Sequence, residues 1–535
     1  TLDSVLRGGR IIDGTGNPWY YADVGISGDR IAIISSPGTL QAKEVIDVSG
    51  LYVAPGFIDM LGQSELFVLI NPHVKSKITQ GITTEFTGEG GSPAPNNDWI
   101  IQEAAPSLEP YGIVLDWQTW DQYFDRVNKN RSAVNFVFMV GATQVRQFVM
   151  KNEMREPTAA ELARMQEQVR SAMKSGVFGV STSLLYAPAS YSRTEEIVAL
   201  AKVASEYGGF YASHIRNEAD RLLEALDEAI EIGQKANCPV QVWHLKVSGK
   251  QNFGKMKDAL QKITDARAQG IDITADIYPY PAGSTALAAS LPKWALEGGM
   301  EAMLKRLADP AARDRIKKEM MTSFPETDNI FMDADSGKKI MIASAQNPAL
   351  KKYVGKLLEE IAKDHGADEP ETLCWFVEQD QGATGAIYFT QSEEEMQKAM
   401  KAPFVSFNCD YPGMATDGIL LRDHPHPRAY GTFPRILARY VREKNLLTLE
   451  EAIRKMTSLP AQRLGLQKRG TLKEGNYADI TIFDLDRVRD VATFEDPNHY
   501  SEGIVHVFVN GRPVLAKGAI TDNLPGRILL RGQNN

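Results

Sequence analysis

Two histidines and two carboxylates stand where short apolar segments end, and their types suit a metal site. His214 and His244 lie 30 residues apart, each at the end of a predicted strand, and Asp410 ends a later predicted strand. Glu89 follows the predicted strand at 83–87. Two imidazoles and a carboxylate suit Zn²⁺, which lowers the pKa of water in its open position to about 7. A second carboxylate near that water would act as a general base.

Each of these residues also has an ordinary structural explanation. A histidine at a strand end is more often a hydrogen-bonded structural residue, Asp410 could cap a turn, and Glu89 could be a loop-surface carboxylate. Two histidines on adjacent strands keep the metal hypothesis open beside this one. The Gly-rich loop around Glu89 lacks the Lys-Ser/Thr of a P-loop, so phosphate binding is not favoured.

A second group of side chains is cationic and phenolic. Lys246 lies two residues after His244, Tyr278 closes another predicted strand, and Arg428 lies in a run of alternating His and Pro. An Arg fork with a Lys and a Tyr hydroxyl is suited to binding a carboxylate. A solvated loop arginine and a packed tyrosine explain the same residues, and the residues alone favour that explanation.

The elements that must position these side chains alternate between strands and helices. In a parallel barrel, reactive groups lie at the carboxyl ends of the strands, where loops converge. Eight strands separated by amphipathic helices predict an α/β fold and favour a (β/α)8 TIM-like barrel over an open sheet. The predicted strands are 52–59, 83–87, 134–140, 177–181, 209–214, 240–246, 271–278 and 404–410.

Both ends of the chain read differently, as short strands separated by turns. We expect residues 1–55 and 456–535 to pack together as one small β-sandwich around a barrel at 56–455, although two separate β caps would explain the pattern equally well. The gap between the strands at 271–278 and 404–410 is too long for one βα unit, so it predicts an insertion at about 281–351.

Composition limits the classes of function. The chain has 535 residues, 59 Lys+Arg and 68 Asp+Glu, a net charge of −9, so no general basic face for nucleic acid is expected. No apolar run predicts a membrane span, and three unpaired-looking cysteines exclude a disulfide scaffold. The three reduced-looking cysteines suit a cytoplasm and a periplasm equally, so a cytoplasmic location and a periplasmic or secreted one after signal removal both stay open. The sequence also leaves open a homo-oligomer.

Several motifs together give the chain a family resemblance that spans nearly its whole length. It resembles the N-acyl-D-amino-acid deacylases (D-aminoacylases) of the amidohydrolase superfamily. The motifs are VAPGFID at 53–59, QGITT at 80–84, SHIRNE at 213–218, WHLK at 243–246, YPY at 278–280, HPRAYGTFP at 426–434, MTSLPAQRL at 456–464 and RGTLKEGNYAD at 469–479.

The resemblance implies a zinc-dependent barrel flanked by a β-sandwich from both termini, and cleavage of an N-acyl amide. It assigns the metal to His214 and His244, and proton transfer from the metal-activated water to the leaving amine to Asp410. The positions that hold the substrate's α-carboxylate are Lys246, Tyr278 and Arg428.

Two departures from the family pattern bear on the metal. The family usually follows its Gly-Phe-Ile-Asp with a His-x-His pair, where this chain has Leu61 and Gln63, so we expect one zinc per chain. The family's bridging cysteine is also missing. Glu89 stands there or one residue away, and a carboxylate can replace a thiolate as a zinc ligand.

The leading hypothesis is therefore a zinc amidohydrolase that acts on N-acyl amino acids or short peptides. A related peptidase, an L-aminoacylase or a cyclic-amide hydrolase is the alternative among enzymes. A non-catalytic relative that binds carboxylates without a metal is the alternative from another class. The sequence does not fix the acyl group, the side chain or the chirality.

Overall fold

The computed structural model describes residues 2–421 and 423–535 and has a mixed α/β architecture. Its strands are β1 (Leu2–Ile11), β2 (Tyr20–Ser27), β3 (Arg30–Ser35), β4 (Ala42–Asp47), β5 (Tyr52–Pro55), β6 (Phe57–Asp59), β7 (Ile82–Thr87), β8 (Asn135–Phe138), β9 (Val140–Gly141), β10 (Gly179–Ser183), β11 (Phe210–His214), β12 (Val240–Val242), β13 (Ile273–Ile277), β14 (Gly283–Ala286), β15 (Ile340–Ser344), β16 (Gly385–Tyr388), β17 (Val405–Phe407), β18 (Ile480–Phe483), β19 (Ile504–Val509), β20 (Arg512–Ala516) and β21 (Ala519–Ile520).

The α-helices are α1 (Lys75–Ile78), α2 (Asp98–Leu108), α3 (Trp120–Asn130), α4 (Ala142–Met150), α5 (Ala159–Ser175), α6 (Thr194–Glu206), α7 (Leu222–Ala236), α8 (Lys255–Ala268), α9 (Met300–Ala308), α10 (Pro310–Met320), α11 (Ile330–Asp333), α12 (Leu358–His365), α13 (Glu369–Gln379), α14 (Glu393–Lys401), α15 (Arg428–Arg435), α16 (Leu449–Met456) and α17 (Ser458–Leu464). A π-helical segment, Ile436–Glu443, continues α15. Within the described ranges, no helix is long and apolar enough to cross a membrane.

Nine parallel strands, of which β8 and β9 follow each other along one line, form the central barrel. One group pairs in the order β6–β7–β8, and the other in the order β9–β10–β11–β12–β13–β17. Only Met139 separates β8 from β9, and the backbone N–H of Met60 donates to Phe407 O at 3.2 Å, which joins the end of β6 to β17. The two groups therefore meet at both ends, as the predicted barrel requires, and the predicted α/β class is confirmed.

The helices around the barrel follow from the apolar spacing in the sequence. α5 begins with a capping box, since Thr158 Oγ1 accepts from the Glu161 N–H while the Glu161 carboxylate accepts from the Thr158 N–H. Met165, Val169 and Met173 then recur at helical spacing and are buried against the barrel. The apolar face of α5 therefore packs against the hydrophobic core of the barrel.

Strands from both ends of the chain form one nine-stranded sheet with a hydrophobic cluster of its own. The sheet runs β21–β20–β19–β18–β5–β1–β2–β3, with β4 pairing to β1, and β18 is antiparallel to β5. The predicted strand at 52–59 is divided between this sheet (β5) and the barrel (β6). Gly56 lies at the crossing, where an added Cβ would be 2.0 Å from Thr83 Oγ1, so only glycine fits without rearrangement.

A smaller unit lies between β13 and β17 and forms one wall over the barrel mouth. Its antiparallel sheet β14–β16–β15 packs with α9 to α13 in a hydrophobic cluster that also includes Leu185 from the barrel. The residues predicted as an insertion, 281–351, belong to this unit. The unit continues to Tyr388, because β16 lies between β14 and β15.

Candidate metal centre and its cavity

A cavity of about 510 Å³ opens at the carboxyl ends of the barrel strands. This volume suits a small organic ligand. The walls include every residue that the sequence predicted for the site: Glu89, His214, His244, Lys246, Tyr278, Asp410 and Arg428. The small unit between β13 and β17 contributes further lining residues such as Ser284 and Tyr388.

Glu89, His214 and His244 converge in the floor of this cavity. Each offers one ligand atom within 4.8 Å of the others, and Glu89 Oε1 lies 2.9 Å from His214 Nδ1 and 3.0 Å from His244 Nε2. Ligands of one tetrahedral zinc, at about 2.0–2.1 Å from the metal, lie about 3.3 Å apart. Two imidazole nitrogens and a carboxylate oxygen at this separation fit zinc in both chemistry and spacing.

Glycines on both sides allow Glu89 to reach the histidines. Gly88 and Gly90 have φ values of +111° and +68°, which side chains rarely allow. An added Cβ would lie 2.6 Å from Met139 O at Gly88 and 2.6 Å from Ser183 Cβ at Gly90. The Gly-rich loop is thus a tight turn packed between neighbouring strand ends, and Glu89 is not a loose surface carboxylate.

His244 and Asp410 lie beyond the strands that were predicted to end with them. β12 ends at Val242 and β17 at Phe407, whereas His244 and Asp410 have left-handed φ values of +36° and +45°. Such backbone conformations persist only where surrounding contacts enforce them. Asp276 supplies one such contact, since its Oδ1 accepts from the His244 N–H at 2.7 Å. Burial raises the pKa of Asp276 to about 7.

Glu218 is a site residue for which sequence reasoning proposed no role. Its Oε1 accepts from Lys246 Nζ at 2.8 Å and lies 3.0 Å from His244 Nδ1, while its Oε2 is 3.6 Å from His214 Nε2. Burial raises the pKa of Glu218, but Lys246 and the two histidines outweigh it and hold that pKa well below its usual value. The only sequence signal was a carboxylate four residues after His214, within SHIRNE.

Arg428 and Asp410 form an ion pair in the cavity wall. Arg428 Nη1 lies 3.1 Å from Asp410 Oδ2, and the Arg428 side chain is only 3% exposed, so this arginine is not a solvated loop residue. His426 fixes the start of α15, because its Nδ1 accepts from the Arg428 N–H at 2.9 Å. Burial holds the pKa of His426 well below its usual value, which keeps the ring neutral and able to accept.

Tyr278 connects the two cationic residues of the cavity. The Arg428 guanidinium lies 4.5 Å from the centre of the Tyr278 ring, and Lys246 Nζ lies 5.6 Å from it. The Tyr278 hydroxyl accepts from Gln391 Nε2 at 3.1 Å. Lys246, Tyr278 and Arg428 therefore present two cations and a hydroxyl along one wall, which is suited to an anionic group of a ligand.

Gln63 lies between the metal-type group and Asp410. Its Nε2 donates to Glu89 Oε2 at 2.5 Å and to Asp410 Oδ1 at 3.1 Å. The sequence identified Gln63 only as a poor metal ligand. Its side chain faces the carboxylates as a hydrogen-bond donor.

The geometry as a whole combines three chemical capacities in one cavity. One group can hold a divalent metal, a carboxylate beside it can accept and donate a proton, and a pair of cations can bind an anion. The two carboxylates face different partners, since Glu89 faces the histidines while Asp410 faces Arg428.

Comparison with known proteins finds relatives along the whole chain. A profile described as the amidohydrolase family matches residues 44–515. The D-aminoacylase of Alcaligenes xylosoxydans xylosoxydans is 35% identical over 530 residues, which are 99% of this chain and 98% of that protein.

Two solved structures are similar in fold and sequence. A D-aminoacylase structure, from work on a binuclear metal centre with one-metal activation and second-metal attenuation, is 34% identical with a TM-score of 0.83, covering 99% of this chain and 100% of that one. An N-acyl-D-glutamate deacylase from Bordetella bronchiseptica, in complex with zinc and a phosphonate mimic of the tetrahedral intermediate, is 34% identical with a TM-score of 0.82 and the same coverage.

Proposed function

The chain belongs to the amidohydrolase family, and we propose that it is a zinc-dependent enzyme that hydrolyses the amide bond of N-acyl-D-amino acids. The observation that carries this proposal is the 3.1 Å contact between Asp410 Oδ2 and Arg428 Nη1, beside the Glu89–His214–His244 group. In an N-acyl amino acid, the amide nitrogen and the α-carboxylate are bonded to the same carbon. A proton-transfer carboxylate next to a carboxylate-binding arginine matches that arrangement.

Glu89, His214 and His244 would hold one zinc ion per chain. Zinc bound there would supply a Lewis acid for an amide carbonyl and would lower the pKa of water towards neutrality. Glu218 supports the ligand set, because it lies 3.0 Å from the second ring nitrogen of His244 and thereby orients that ring.

Asp410 then acts first as base and afterwards as acid. Its carboxylate accepts the proton that water gives up on attacking the carbonyl carbon, and it delivers that proton to the leaving amine nitrogen. Arg428, Lys246 and Tyr278 hold the α-carboxylate and thereby orient the substrate in the cavity. The D configuration rests on the relatives, which are D-aminoacylases and an N-acyl-D-glutamate deacylase.

In the domain division that we propose, the barrel at 56–455 carries the reaction. The β domain consists of residues 1–55 and 456–535, from the two ends of the chain. The insertion that begins near residue 281 forms a wall of the cavity. This division is supported by the position of the cavity, whose lining residues run from Gln63 to Arg428.

Substitution of Asp410 by asparagine tests the assignment of the base. Asp410→Asn keeps the shape and leaves the three metal donors in place, so zinc content measured by elemental analysis should stay at about one per chain. Turnover of an N-acetyl-D-amino acid should fall about 10²- to 10⁴-fold, the usual contribution of a general acid–base group. Full activity in this variant would overturn the assignment.

Paired substrates distinguish the proposal from its alternatives. Hydrolysis of N-acyl-D- but not N-acyl-L-amino acids supports it, whereas turnover only of dipeptides, L-substrates or cyclic amides supports a related hydrolase. A chain that takes up no zinc and hydrolyses none of these compounds is a non-catalytic carboxylate-binding relative.

A further inference from the structure

We propose that Gln63 is a positioning residue that fixes Glu89 and Asp410 with a single carboxamide nitrogen and thereby limits the site to one metal ion. Gln63 Nε2 is 2.5 Å from Glu89 Oε2 and 3.1 Å from Asp410 Oδ1. A primary amide nitrogen has two N–H groups, and here one points to each carboxylate. This inference rests on the proposed function, since it concerns the proposed ligand and the proposed base.

The backbone of Gln63 is held in a conformation that the residue would not adopt by itself. Its φ value is +62°, in the left-handed region that favours glycine. Its N–H lies 3.2 Å from Thr87 Oγ1, and the following N–H, of Ser64, donates to Glu85 Oε1 at 2.8 Å. Strain of this kind persists where neighbours over-determine the backbone, and it clusters at functional sites.

The preceding residue adds two more constraints. Gly62 O accepts from the buried Lys77 Nζ at 2.9 Å, and the Gly62 N–H donates to Phe86 O at 2.8 Å. An added Cβ at Gly62 would lie 1.7 Å from the Glu85 side chain, so no other residue fits there without displacement. The carboxamide of Gln63 is therefore carried by a rigid turn, as a group that sets the position of others must be.

The position of this carboxamide has a consequence for metal number. Because Gln63 Nε2 donates a hydrogen bond to Glu89 Oε2, only Glu89 Oε1 faces His214 Nδ1 and His244 Nε2. The same nitrogen also donates to Asp410 Oδ1, so the neutral carboxamide of Gln63 lies between the two carboxylates. A second cation would need those two oxygens as ligands and would have to displace the amide. The carboxamide of Gln63 thus bridges the two carboxylates, as a second metal ion would, but carries no charge.

Two near-isosteric variants separate positioning from mere packing. Gln63→Glu replaces the donor with a third carboxylate, and we expect the repulsion among three carboxylates to recruit a second zinc, raising the content at saturating zinc from about one to about two per chain. Gln63→Met keeps the length and removes the donor. We expect it to retain one zinc, bound about 10- to 100-fold more weakly by chelator competition, as for loss of other groups that orient metal ligands.

Kinetics and spectroscopy give independent readouts. In Gln63→Met we expect kcat on an N-acetyl-D-amino acid to fall at least about tenfold with little change in KM, because Asp410 loses its orientation while the α-carboxylate contacts remain. Cobalt(II) substitution should show a visible spectrum different from wild type, since Glu89 is free to bind through both oxygens. Gln147→Met, which removes a partly buried amide contact with Asn152 outside the cavity, is the matched control.

The outcomes separate this inference from the proposed function. A wild-type chain that binds no zinc contradicts the proposed function itself. One zinc in the wild type, together with one zinc in Gln63→Glu at saturating metal, contradicts the limit on metal number. Wild-type zinc affinity, kcat and cobalt spectrum in Gln63→Met contradict the positioning role.

Discussion

Replacing Glu218 by glutamine removes one negative charge from beneath the candidate metal site and nearly preserves its shape. Glu218 is 4% exposed, and its Oε1 faces both Lys246 Nζ at 2.8 Å and His244 Nδ1 at 3.0 Å. Burial lowers the pKa of Lys246, and Glu218 is the main reason that the pKa is nevertheless raised. Glu218→Gln therefore leaves a buried lysine without its counter-charge.

The expected loss can be worked out from these contacts. A hydrogen bond to a charged partner contributes about 1.5–3 kcal/mol, and removing one partner of a buried ion pair destabilises by about 3–5 kcal/mol. Glutamine retains an acceptor oxygen, so we expect the metal-free protein to lose about 3 kcal/mol of unfolding free energy. Because His244 also loses its orienting carboxylate, zinc affinity should fall about 10- to 100-fold.

Two measurements and a matched control test this expectation. Urea unfolding of the metal-free protein gives the stability change, and competition with a chelator gives the zinc affinity. Glu228→Gln is the control, because Glu228 forms an ion pair with Arg216 at 2.7 Å but does not line the cavity. If the zinc affinity of Glu218→Gln falls no further than that of Glu228→Gln, the reasoning about His244 is refuted.

Two more substitutions test the proposed contact between Arg428 and the substrate's α-carboxylate, and the buried carboxyl group of Glu85. Arg428→Lys should lower kcat/KM about 10- to 100-fold on N-acyl amino acids but little on their α-carboxamides, because lysine cannot donate the two parallel hydrogen bonds that a guanidinium gives to a carboxylate. Equal losses on both kinds of substrate would contradict the proposed role of Arg428 in binding the α-carboxylate. Burial raises the pKa of Glu85 from 4.5 to about 7 in the folded protein. The folded state therefore binds this proton more tightly than the unfolded state, and the resulting stabilisation is complete below pH 4.5 and is lost as pH rises through 7. Glu85→Gln should thus gain up to about 3 kcal/mol over wild type above pH 7, and parallel pH profiles of unfolding free energy would contradict this.

The sequence was sufficient for those parts of the fold that repeat locally. Apolar strands alternating with amphipathic helices predicted the barrel, and strand-end polarity selected His214, His244 and Asp410 as cavity residues. The strand ends themselves were less predictable, because His244 and Asp410 adopt left-handed backbone that distant residues hold in place. Asp276 Oδ1 accepts from the His244 N–H at 2.7 Å, and the Asp410 N–H donates to Leu61 O at 2.8 Å. A period of two continues through such residues in the sequence, so 240–246 reads as one strand.

Long-range partners were beyond sequence reasoning for a different reason. Glu218 and Gln63 carry ordinary polar side chains in loops, and their roles depend on which oxygen or nitrogen faces which partner. The division of the strand at 52–59 depends likewise on the sheet that each half joins. Neither hydrophobic period nor residue type records which side-chain atoms face each other, whether the partners are 28 residues apart, as Glu218 and Lys246 are, or 347, as Gln63 and Asp410 are.

The antiparallel contact between β5 and β18 has a consequence for the order in which the chain becomes structured during synthesis. Tyr52–Pro55 pairs with Ile480–Phe483, roughly 425 residues later. At a translation rate of about 5–20 residues per second, β5 waits about 20–90 s for this partner. The barrel strands are complete before then, whereas the edge of β5 stays open to other strands. We therefore expect nascent chains halted before residue 480 to be the species most prone to aggregation and most dependent on chaperones.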